Sequence, residues 1–291
     1  MAPSLSTLAA LLVVGCAPQT IVPTSYPDVA PGRYSKTLES GGLTRSYVLR
    51  VPEGYDRSKP TPLVLTLHGY TGSASVAEKG FGVAEAAEKE GWISVFPNGA
   101  GDPRGWNAGF INLTGTQVND VAFIGKLLDQ LEKDLHVDRK RVYVAGHSNG
   151  AMMAHLIGSR LSNRIAAVGA VAGIAGLSAK TMISAPDDPV SVIMVHGKRD
   201  PLVGYDASAS ALLRGLAVPA GAKWWANTVG ASRDPIVTRA DWGTVETWTG
   251  GREGSEVRLV TIEQGQHEWP RNKVDATALL FEFFKSHPKR G

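Results

Sequence analysis

The alternation of short apolar runs with amphipathic segments is the feature that most constrains how this 291-residue chain can fold. Residues 62–68 form a nearly continuous apolar run, which is typical of a central strand covered on both faces. The pattern predicts strands over 33–38, 44–51, 62–68, 92–96, 141–145, 165–171, 190–195 and 257–262, and helices over 76–90, 121–135, 149–161, 219–229 and 274–284. Repeated strand-then-helix order predicts an α/β fold, with a mostly parallel central sheet and helices on both faces.

Composition and charge narrow the class of protein. The chain is 43% hydrophobic and 20% charged, as expected of a soluble globular protein. Thirty Lys and Arg against 27 Asp and Glu leave a net charge of only +3, and the longest basic run is the trio Arg139–Arg141. We therefore expect no nucleic-acid partner, because such binders carry a basic face. A single cysteine excludes an internal disulfide and a cysteine-based zinc site.

The N-terminal 32 residues differ from the rest of the chain. Residues 8–14 form an apolar run of signal-peptide length, and residues 13–16 resemble the bacterial lipobox, in which the cysteine is lipidated. We predict a signal peptide over 1–15, a lipid anchor at Cys16 in the bacterial cell envelope, a proline-rich tether over 16–32 and one catalytic domain over 33–291. The absence of Lys or Arg before Arg33 departs from a usual signal peptide. The alternatives are a buried free cysteine in an N-terminal strand and an arm lying on the domain surface.

A candidate nucleophile follows the strand predicted over 141–145. Gly146, Ser148 and Gly150 form a Gly-x-Ser-x-Gly motif between that strand and a predicted helix. In this context the motif predicts a nucleophile elbow, a sharp turn that exposes the serine hydroxyl above the sheet edge. The alternative is an ordinary glycine-rich surface turn.

A serine nucleophile needs a base and an acid that orients the base, and both are expected later in the chain. Asp200 follows the strand predicted over 190–195, and His267 follows the last predicted strand. Asp206 and Asp234 remain alternative acids, because both also precede His267. The other histidines are set aside for different reasons. His68 and His196 end strands and are expected to shape loops, and His155 is expected in the core. His147 occupies a variable position of the elbow, and His136 and His287 lie near the C-terminal ends of predicted helices.

Acyl transfer also needs hydrogen-bond donors for the developing oxyanion. We expect one donor to be the backbone N–H of Asn149, directly after the nucleophile. The other is expected in the loop after the first central strand, where the backbone N–H of Tyr70 follows Gly69. An ordinary glycine loop is the alternative. No metal or organic cofactor is implied.

Six sequence blocks resemble the polyhydroxybutyrate depolymerase family, which includes feruloyl-esterase-like, acetylxylan-esterase-like and lipid-anchored bacterial esterases. They are Leu67-His-Gly, Phe96-Pro-Asn-Gly, Gly105-Trp-Asn-Ala-Gly, Val118-Asn-Asp-Val-Ala-Phe-Ile, Arg141-Val-Tyr-Val-Ala-Gly-His-Ser-Asn-Gly and His196-Gly-Lys-Arg-Asp. The resemblance runs from about residue 40 to 285. It implies an α/β-hydrolase fold, a secreted protein and a triad of Ser148, Asp200 and His267.

The resemblance also bears on the substrate. It suggests Trp106 as a substrate contact, with a structural role as the alternative, and Trp269 is a second candidate contact. Asn119 and Asp120 match a pair of acids in the family, and we interpret them as helix capping.

The expected activity is hydrolysis of carboxylic esters through an acyl-enzyme. Short-chain, hydroxyalkanoate, feruloyl or acetyl carbohydrate esters fit better than crystalline polyester, because the chain continues only briefly after its last predicted helix. Two other functions are compatible with the sequence. They are an envelope acyltransferase with the same triad and a catalytically silent, surface-anchored binding protein.

Overall fold

The computed structural model describes residues 26–109, 115–176, 183–206 and 216–290, which form a single ten-stranded sheet with helices on both faces. The strands are β1 (Gly32–Ser40), β2 (Leu43–Val51), β3 (Thr61–Leu67), β4 (Ile93–Pro97), β5 (Val137–His147), β6 (Ala167–Val171), β7 (Ser191–Gly197), β8 (Ile236–Ala240), β9 (Gly243–Trp248) and β10 (Val257–Ile262). The helices are α1 (Ala74–Gly80), α2 (Val83–Glu90), α3 (Asp120–Asp134), α4 (Asn149–Arg160), α5 (Val218–Val229) and α6 (Ala276–Ser286), with a 3-10 turn at Arg252–Gly254.

The six central strands run parallel, in the order β4-β3-β5-β6-β7-β10. An antiparallel pair extends the sheet on each side, β1-β2 next to β4 and β9-β8 next to β10. The predicted mostly parallel sheet is therefore confirmed. Because the C-terminal ends of parallel strands meet at one edge, the loops after β3, β5, β7 and β10 lie on the same side of the molecule.

Two apolar cores hold the helices against the sheet. In β3, Leu63 and Leu65 pack into the core formed with α3, α4 and α5, whereas Val64 packs into the core formed with α1, α2 and α6. All three side chains are fully buried. Successive residues of a strand point to opposite faces, so a continuous apolar run serves both cores.

The helix predicted over 76–90 is wrong as a single element, because the chain breaks between α1 and α2. Gly82 has a left-handed φ of 71°, and a Cβ on it would lie 1.7 Å from the guanidinium of Arg271. The Phe81 ring turns inward and stacks on Trp269, with ring centroids 4.4 Å apart. Gly80 and Gly82 are the sequence signal that marks this break.

The β8-β9 hairpin is missing from the sequence prediction. All five residues of β8 are exposed, so its sequence lacks the alternation of apolar and polar side chains that identifies a half-buried strand. The hairpin joins the sheet through β9, whose residues pair with β10 from Gly243 to Trp248. The first two strands form where they are predicted, and they pair with each other, Arg33 with Arg50 and Leu38 with Arg45.

The segment predicted as a tether lies partly within the described residues. Tyr26 stacks on His136 with ring centroids 4.5 Å apart, and Val29 packs against the apolar core, so residues 26–31 lie against the domain. Residues 1–25, with the predicted signal peptide and Cys16, lie outside the described residues. Within the part of the chain that is described, no helix has the length and apolarity needed to cross a membrane.

Candidate active site

Ser148 occupies a sharp turn between β5 and α4, with φ 55° and ψ −120°. Non-glycine residues rarely adopt positive φ, and they do so at sites where the surrounding structure enforces it. Around Ser148 the neighbouring backbone segments approach so closely that the flanking residues have no room for a side chain. A Cβ on Gly146 would lie 2.2 Å from the carbonyl oxygen of Gly150, and a Cβ on Gly150 would lie 2.4 Å from the carbonyl oxygens of Leu67 and His68. Glycine is therefore required on both sides of the serine.

The loops after β7 and β10 bring an acid and an imidazole to this serine. The Ser148 Oγ lies 2.9 Å from Nε2 of His267, and Nδ1 of His267 lies 2.7 Å from Oδ2 of Asp200. A carboxylate only accepts hydrogen bonds, so Nδ1 carries the ring proton and donates a hydrogen bond to Asp200. Nε2 is then the acceptor for the serine hydroxyl. Of the three acids that the sequence leaves open, Asp200 is the one in contact with His267.

Asp200 is held in place by its own loop. Its Oδ1 accepts hydrogen bonds of 2.8 Å from the backbone N–H groups of Leu202 and Val203. Burial acts to raise the pKa of Asp200, but the hydrogen bonds from His267, Val203 and Leu202 outweigh it and hold this pKa below its usual value. The carboxylate is therefore ionised at neutral pH and fixed in one orientation.

The turn after β3 packs against the nucleophile. A Cβ on Gly69 would lie 3.4 Å from Cβ of Ser148. The N–H of Gly72 donates to the carbonyl of Gly69 at 3.0 Å, which places Tyr70 in a tight turn. Asn149 is the first residue of α4, where backbone N–H groups have no partner within the helix. The segments of both predicted oxyanion donors, Tyr70 and Asn149, thus adjoin Ser148.

The ring of His68 fixes the start of this turn. Its Nδ1 donates to the carbonyl of Gly69 at 2.7 Å, and its Nε2 accepts from the N–H of Gly99 at 3.0 Å. Burial lowers the pKa of His68 to about 4, so the ring is neutral at pH 7 and keeps both hydrogen bonds.

Two further histidines lie close to His267. The ring of His147 lies 5.1 Å from that of His267 between centroids, and burial lowers the pKa of His147 to about 4. Nε2 of His196 donates to the carbonyl of Val203 at 2.8 Å, and burial lowers the pKa of His196 as well. Both rings are neutral at pH 7, so neither places a positive charge beside His267.

The two tryptophans that the sequence offers as substrate contacts lie in the interior. Trp106 is 2% exposed, and its Nε1–H donates to the carbonyl of His68 at 2.9 Å. Trp269 is 9% exposed, stacks on Phe81 and donates from Nε1 to the hydroxyl of Thr277 at 2.9 Å. Neither ring presents an open face to solvent. For Trp106 the position corresponds to the structural role that the sequence left as the alternative.

The pair Asn119 and Asp120 does more than cap α3. Asn119 is the N-cap, since its Oδ1 accepts from the N–H of Ala122 at 2.9 Å. Asp120 is 1% exposed and forms an ion pair of 2.7 Å with Arg45, and its other oxygen accepts from the N–H of Asn107 at 2.7 Å. Sequence analysis missed this role of Asp120. The arginine that pairs with it is 75 positions away, and no local pattern connects the two.

The arrangement around Ser148 is suited to nucleophilic catalysis. A hydroxyl in contact with an imidazole nitrogen, which an ionised carboxylate orients through the other ring nitrogen, can lose its proton as it attacks a carbonyl carbon. Among the residues that the structure describes, no group of three or more His, Cys, Asp or Glu side chains is placed to hold a metal ion.

The fold and the order of these residues define the class of protein. A parallel sheet with a serine elbow, followed along the chain by an acid and then a histidine, is the arrangement of the α/β-hydrolases. The solved acetyl xylan esterase from Aspergillus awamori has the same fold, with a TM-score of 0.65 at 15% identity over 87% of this chain and 99% of that one.

Sequence comparison identifies the family. The model of the family described as "Esterase PHB depolymerase" matches residues 45–220, more than half of the chain, and the chain belongs to this family of esterases. It is 31% identical over 234 residues to "Feruloyl esterase B" of Piromyces equi, which covers 77% of this chain and 42% of that protein. It is 30% identical over 250 residues to "Putative esterase NocK" of Nocardia uniformis subsp. tsuyamanensis, covering 79% of this chain and 72% of the relative. The chain thus spans less than half the length of that feruloyl esterase.

Proposed function

We propose that this protein is a carboxylic-ester hydrolase in which Ser148 is the nucleophile, His267 the general base and acid, and Asp200 the residue that orients the imidazole. The continuous contact from Ser148 Oγ through His267 to Asp200, with distances of 2.9 and 2.7 Å, carries the proposal. Membership of an esterase family supports it.

Each step of the reaction uses these groups in turn. Nε2 of His267 takes the hydroxyl proton as Oγ of Ser148 bonds to the ester carbonyl carbon, and the carbonyl oxygen becomes an oxyanion. The backbone N–H groups of Tyr70 and Asn149 donate to this oxyanion. The tetrahedral intermediate expels the alcohol, which leaves with the proton from His267. Water then attacks the acyl-enzyme with the same proton transfers, and the acid and free Ser148 are released.

The proposed substrates are esters of short-chain, hydroxyalkanoic, acetic or ferulic acids, the last two attached to carbohydrate. The names of the relatives support this range, because feruloyl and acetyl xylan esterases are among them. Turnover of p-nitrophenyl acetate and butyrate, methyl ferulate, acetylated xylan oligosaccharides and hydroxybutyrate oligomers will rank the acyl and alcohol groups. Adding an acceptor alcohol during the same assays will measure transfer against hydrolysis.

The decisive variant is Ser148→Ala, with Ser286→Ala as the matched control at an exposed serine on α6. We expect Ser148→Ala to lose turnover of p-nitrophenyl butyrate and labelling by a fluorophosphonate while keeping the thermal transition of the unaltered protein. Ser286→Ala should retain both reactions. Turnover by Ser148→Ala at more than a few per cent of the unaltered rate would overturn the assignment.

We also propose that the protein is exported and held at a membrane through a lipid on Cys16. The apolar run over 8–14 and the lipobox-like residues 13–16 support this proposal. Expression of the full chain in a bacterial host, with and without Cys16→Ser, tests it. Membrane fractionation and mass spectrometry should find an acylated N-terminal cysteine in the unaltered chain and a soluble, unacylated product for the variant. An unacylated Cys16 in the exported protein would contradict the proposal.

A further inference from the structure

Residues 98–109, the first part of the loop between β4 and α3, lie between the two segments that carry the oxyanion donors. On one side they contact the turn after β3. The carbonyl of Arg104 accepts from the N–H of Thr71 at 2.7 Å, and the N–H of Gly99 donates to the ring of His68 at 3.0 Å. Thr71 has a positive φ of 65°, so the residue directly after Tyr70 is held in a conformation that it rarely adopts.

On its other side the same loop forms hydrogen bonds with Asn149, the residue that follows the nucleophile. The N–H of Trp106 donates to Oδ1 of Asn149 at 2.7 Å, and Nδ2 of Asn149 donates to the carbonyl of Trp106 at 3.1 Å. The Trp106 indole then donates to the carbonyl of His68 at 2.9 Å. One buried residue therefore connects the start of α4 to the start of the oxyanion turn, through three hydrogen bonds that we call the clasp.

The loop is anchored to the sheet, so it acts as a fixed reference for both segments. The N–H of Asn107, next to Trp106, donates to the buried carboxylate of Asp120 at 2.7 Å. The other oxygen of Asp120 accepts from Arg45 on β2 at 2.7 Å. Charge-assisted hydrogen bonds in a buried setting are strong and geometrically restrictive. The contacts of Asp120 therefore restrict the movement of Asn107 and of the adjacent Trp106.

We propose that Trp106 and the side chain of Asn149 are positioning residues that set the separation of the Tyr70 and Asn149 backbone N–H groups in the oxyanion hole. The inference rests on the proposed function, because it concerns the geometry of the same site. Donors stabilise an oxyanion only when they reach the position where its charge develops, and losing one costs about 10²–10³ in rate. Loosening the clasp misplaces the donors without removing them, so we expect a smaller loss, about 10- to 100-fold in kcat.

Trp106→Phe tests the clasp with little change in bulk, because it keeps an aromatic ring and removes the Nε1–H. The matched control is Trp225→Phe. Trp225 is fully buried and donates from Nε1 to Nδ1 of His155 at 3.0 Å, on the side of α4 that packs against α5. Both variants lose one buried hydrogen bond of an indole. Only Trp106→Phe loses a hydrogen bond to the oxyanion turn.

We expect Trp106→Phe to lower kcat for p-nitrophenyl butyrate by about 10- to 100-fold, with KM within twofold and an unchanged pH profile, since the contacts of His267 are untouched. The fraction of protein labelled by a fluorophosphonate at the end point should equal that of the unaltered protein. Trp225→Phe should keep kcat within twofold. Asn149→Ala keeps its backbone N–H and should resemble Trp106→Phe, and the double variant should lose less than the product of the single losses.

The outcomes separate this inference from the proposed function. If Ser148-dependent turnover is present in the unaltered protein but Trp106→Phe and Asn149→Ala match Trp225→Phe in kcat, the clasp is ordinary packing and the inference fails alone. A shift of the pH profile in Trp106→Phe would also overturn it, because the damage would then lie at His267. Absence of Ser148-dependent turnover in the unaltered protein would overturn both proposals.

Discussion

Replacing Asp200 by asparagine probes the orientation of the catalytic imidazole, and the structure dictates how the new amide must lie. Oδ1 of Asp200 accepts two backbone hydrogen bonds of 2.8 Å, from Leu202 and Val203. In Asp200→Asn the amide oxygen has to occupy that position, because an NH₂ group there would face two donors. The NH₂ group is therefore directed at Nδ1 of His267. Nδ1 must then accept, and the ring proton moves to Nε2, where it blocks removal of the proton of Ser148.

The size of the effect follows from the cost of turning the amide over. The productive orientation sacrifices two buried hydrogen bonds, at about 1–3 kcal/mol each, or about 2–6 kcal/mol in total. At 1.36 kcal/mol for each tenfold change in rate, kcat should fall by about 30-fold to 3 × 10⁴-fold. The same substitution in a serine protease triad lowers kcat by about 10⁴.

The assay is steady-state turnover of p-nitrophenyl butyrate, with urea denaturation to show that the variant is folded. Asp206→Asn is the matched control, because Asp206 is an exposed acid of the same loop that the sequence leaves as an alternative. It should keep kcat within twofold. If Asp200→Asn retains kcat within threefold of the unaltered protein, or if Asp206→Asn shows the large loss, the assignment of the orienting acid is wrong.

Three further perturbations test the scaffold. Burial lowers the pKa of His155 to about 3, so below pH 6.5 the unfolded chain binds a proton that the folded chain does not. The free energy of unfolding therefore decreases as the pH is lowered. His155→Asn keeps an acceptor for its indole partner. In urea titrations at pH 7, 6 and 5 it should reduce the loss of unfolding free energy by about 0.7 kcal/mol between pH 7 and 6 and by about 1.2 kcal/mol between pH 6 and 5. Gly150→Ala would place a Cβ 2.4 Å from two carbonyl oxygens, so it should lower the melting temperature and should lower kcat at least tenfold. The control is Gly125→Ala, where no atom lies closer than 4.0 Å to the added Cβ, and it should leave turnover unchanged. Arg45→Met leaves the buried carboxylate of Asp120 unpaired and should cost about 3–5 kcal/mol of unfolding free energy in urea, and a loss below 1 kcal/mol would show that the ion pair is dispensable.

The elements that the sequence predicts well are those with a strong local pattern. β3 is apolar because both of its faces are covered, and α3 has the amphipathic stripe of a helix that packs on one side. The capping by Asn119 is equally local, because the residue and the N–H that it satisfies are three positions apart. β8 escapes prediction for the opposite reason, since it is exposed on both faces and has no pattern to detect.

In the candidate site, too, the residues with a local sequence signal are predicted, and those whose role depends on distant contacts are not. Ser148 is marked by the glycines that its turn requires, and Asp200 and His267 are marked by their place after buried strands. Trp106 is not marked, because an aromatic side chain in a glycine-rich loop looks the same in sequence whether it faces a substrate or the interior. Its role depends on Asn149, 43 positions away, and such contacts are visible only after the strands are arranged in a sheet.

The position of β10 affects how the molecule assembles. This strand pairs with β7 on one side and β9 on the other, so the hairpin synthesised before it cannot join the sheet until β10 has been inserted. The imidazole arrives on the same late segment, 119 positions after the serine. A nascent chain that stops short of β10 carries nucleophile and acid but lacks the base. Contacts between residues so far apart in the sequence are slow to form. The time at which turnover appears during refolding would therefore report when the last part of the sheet is assembled.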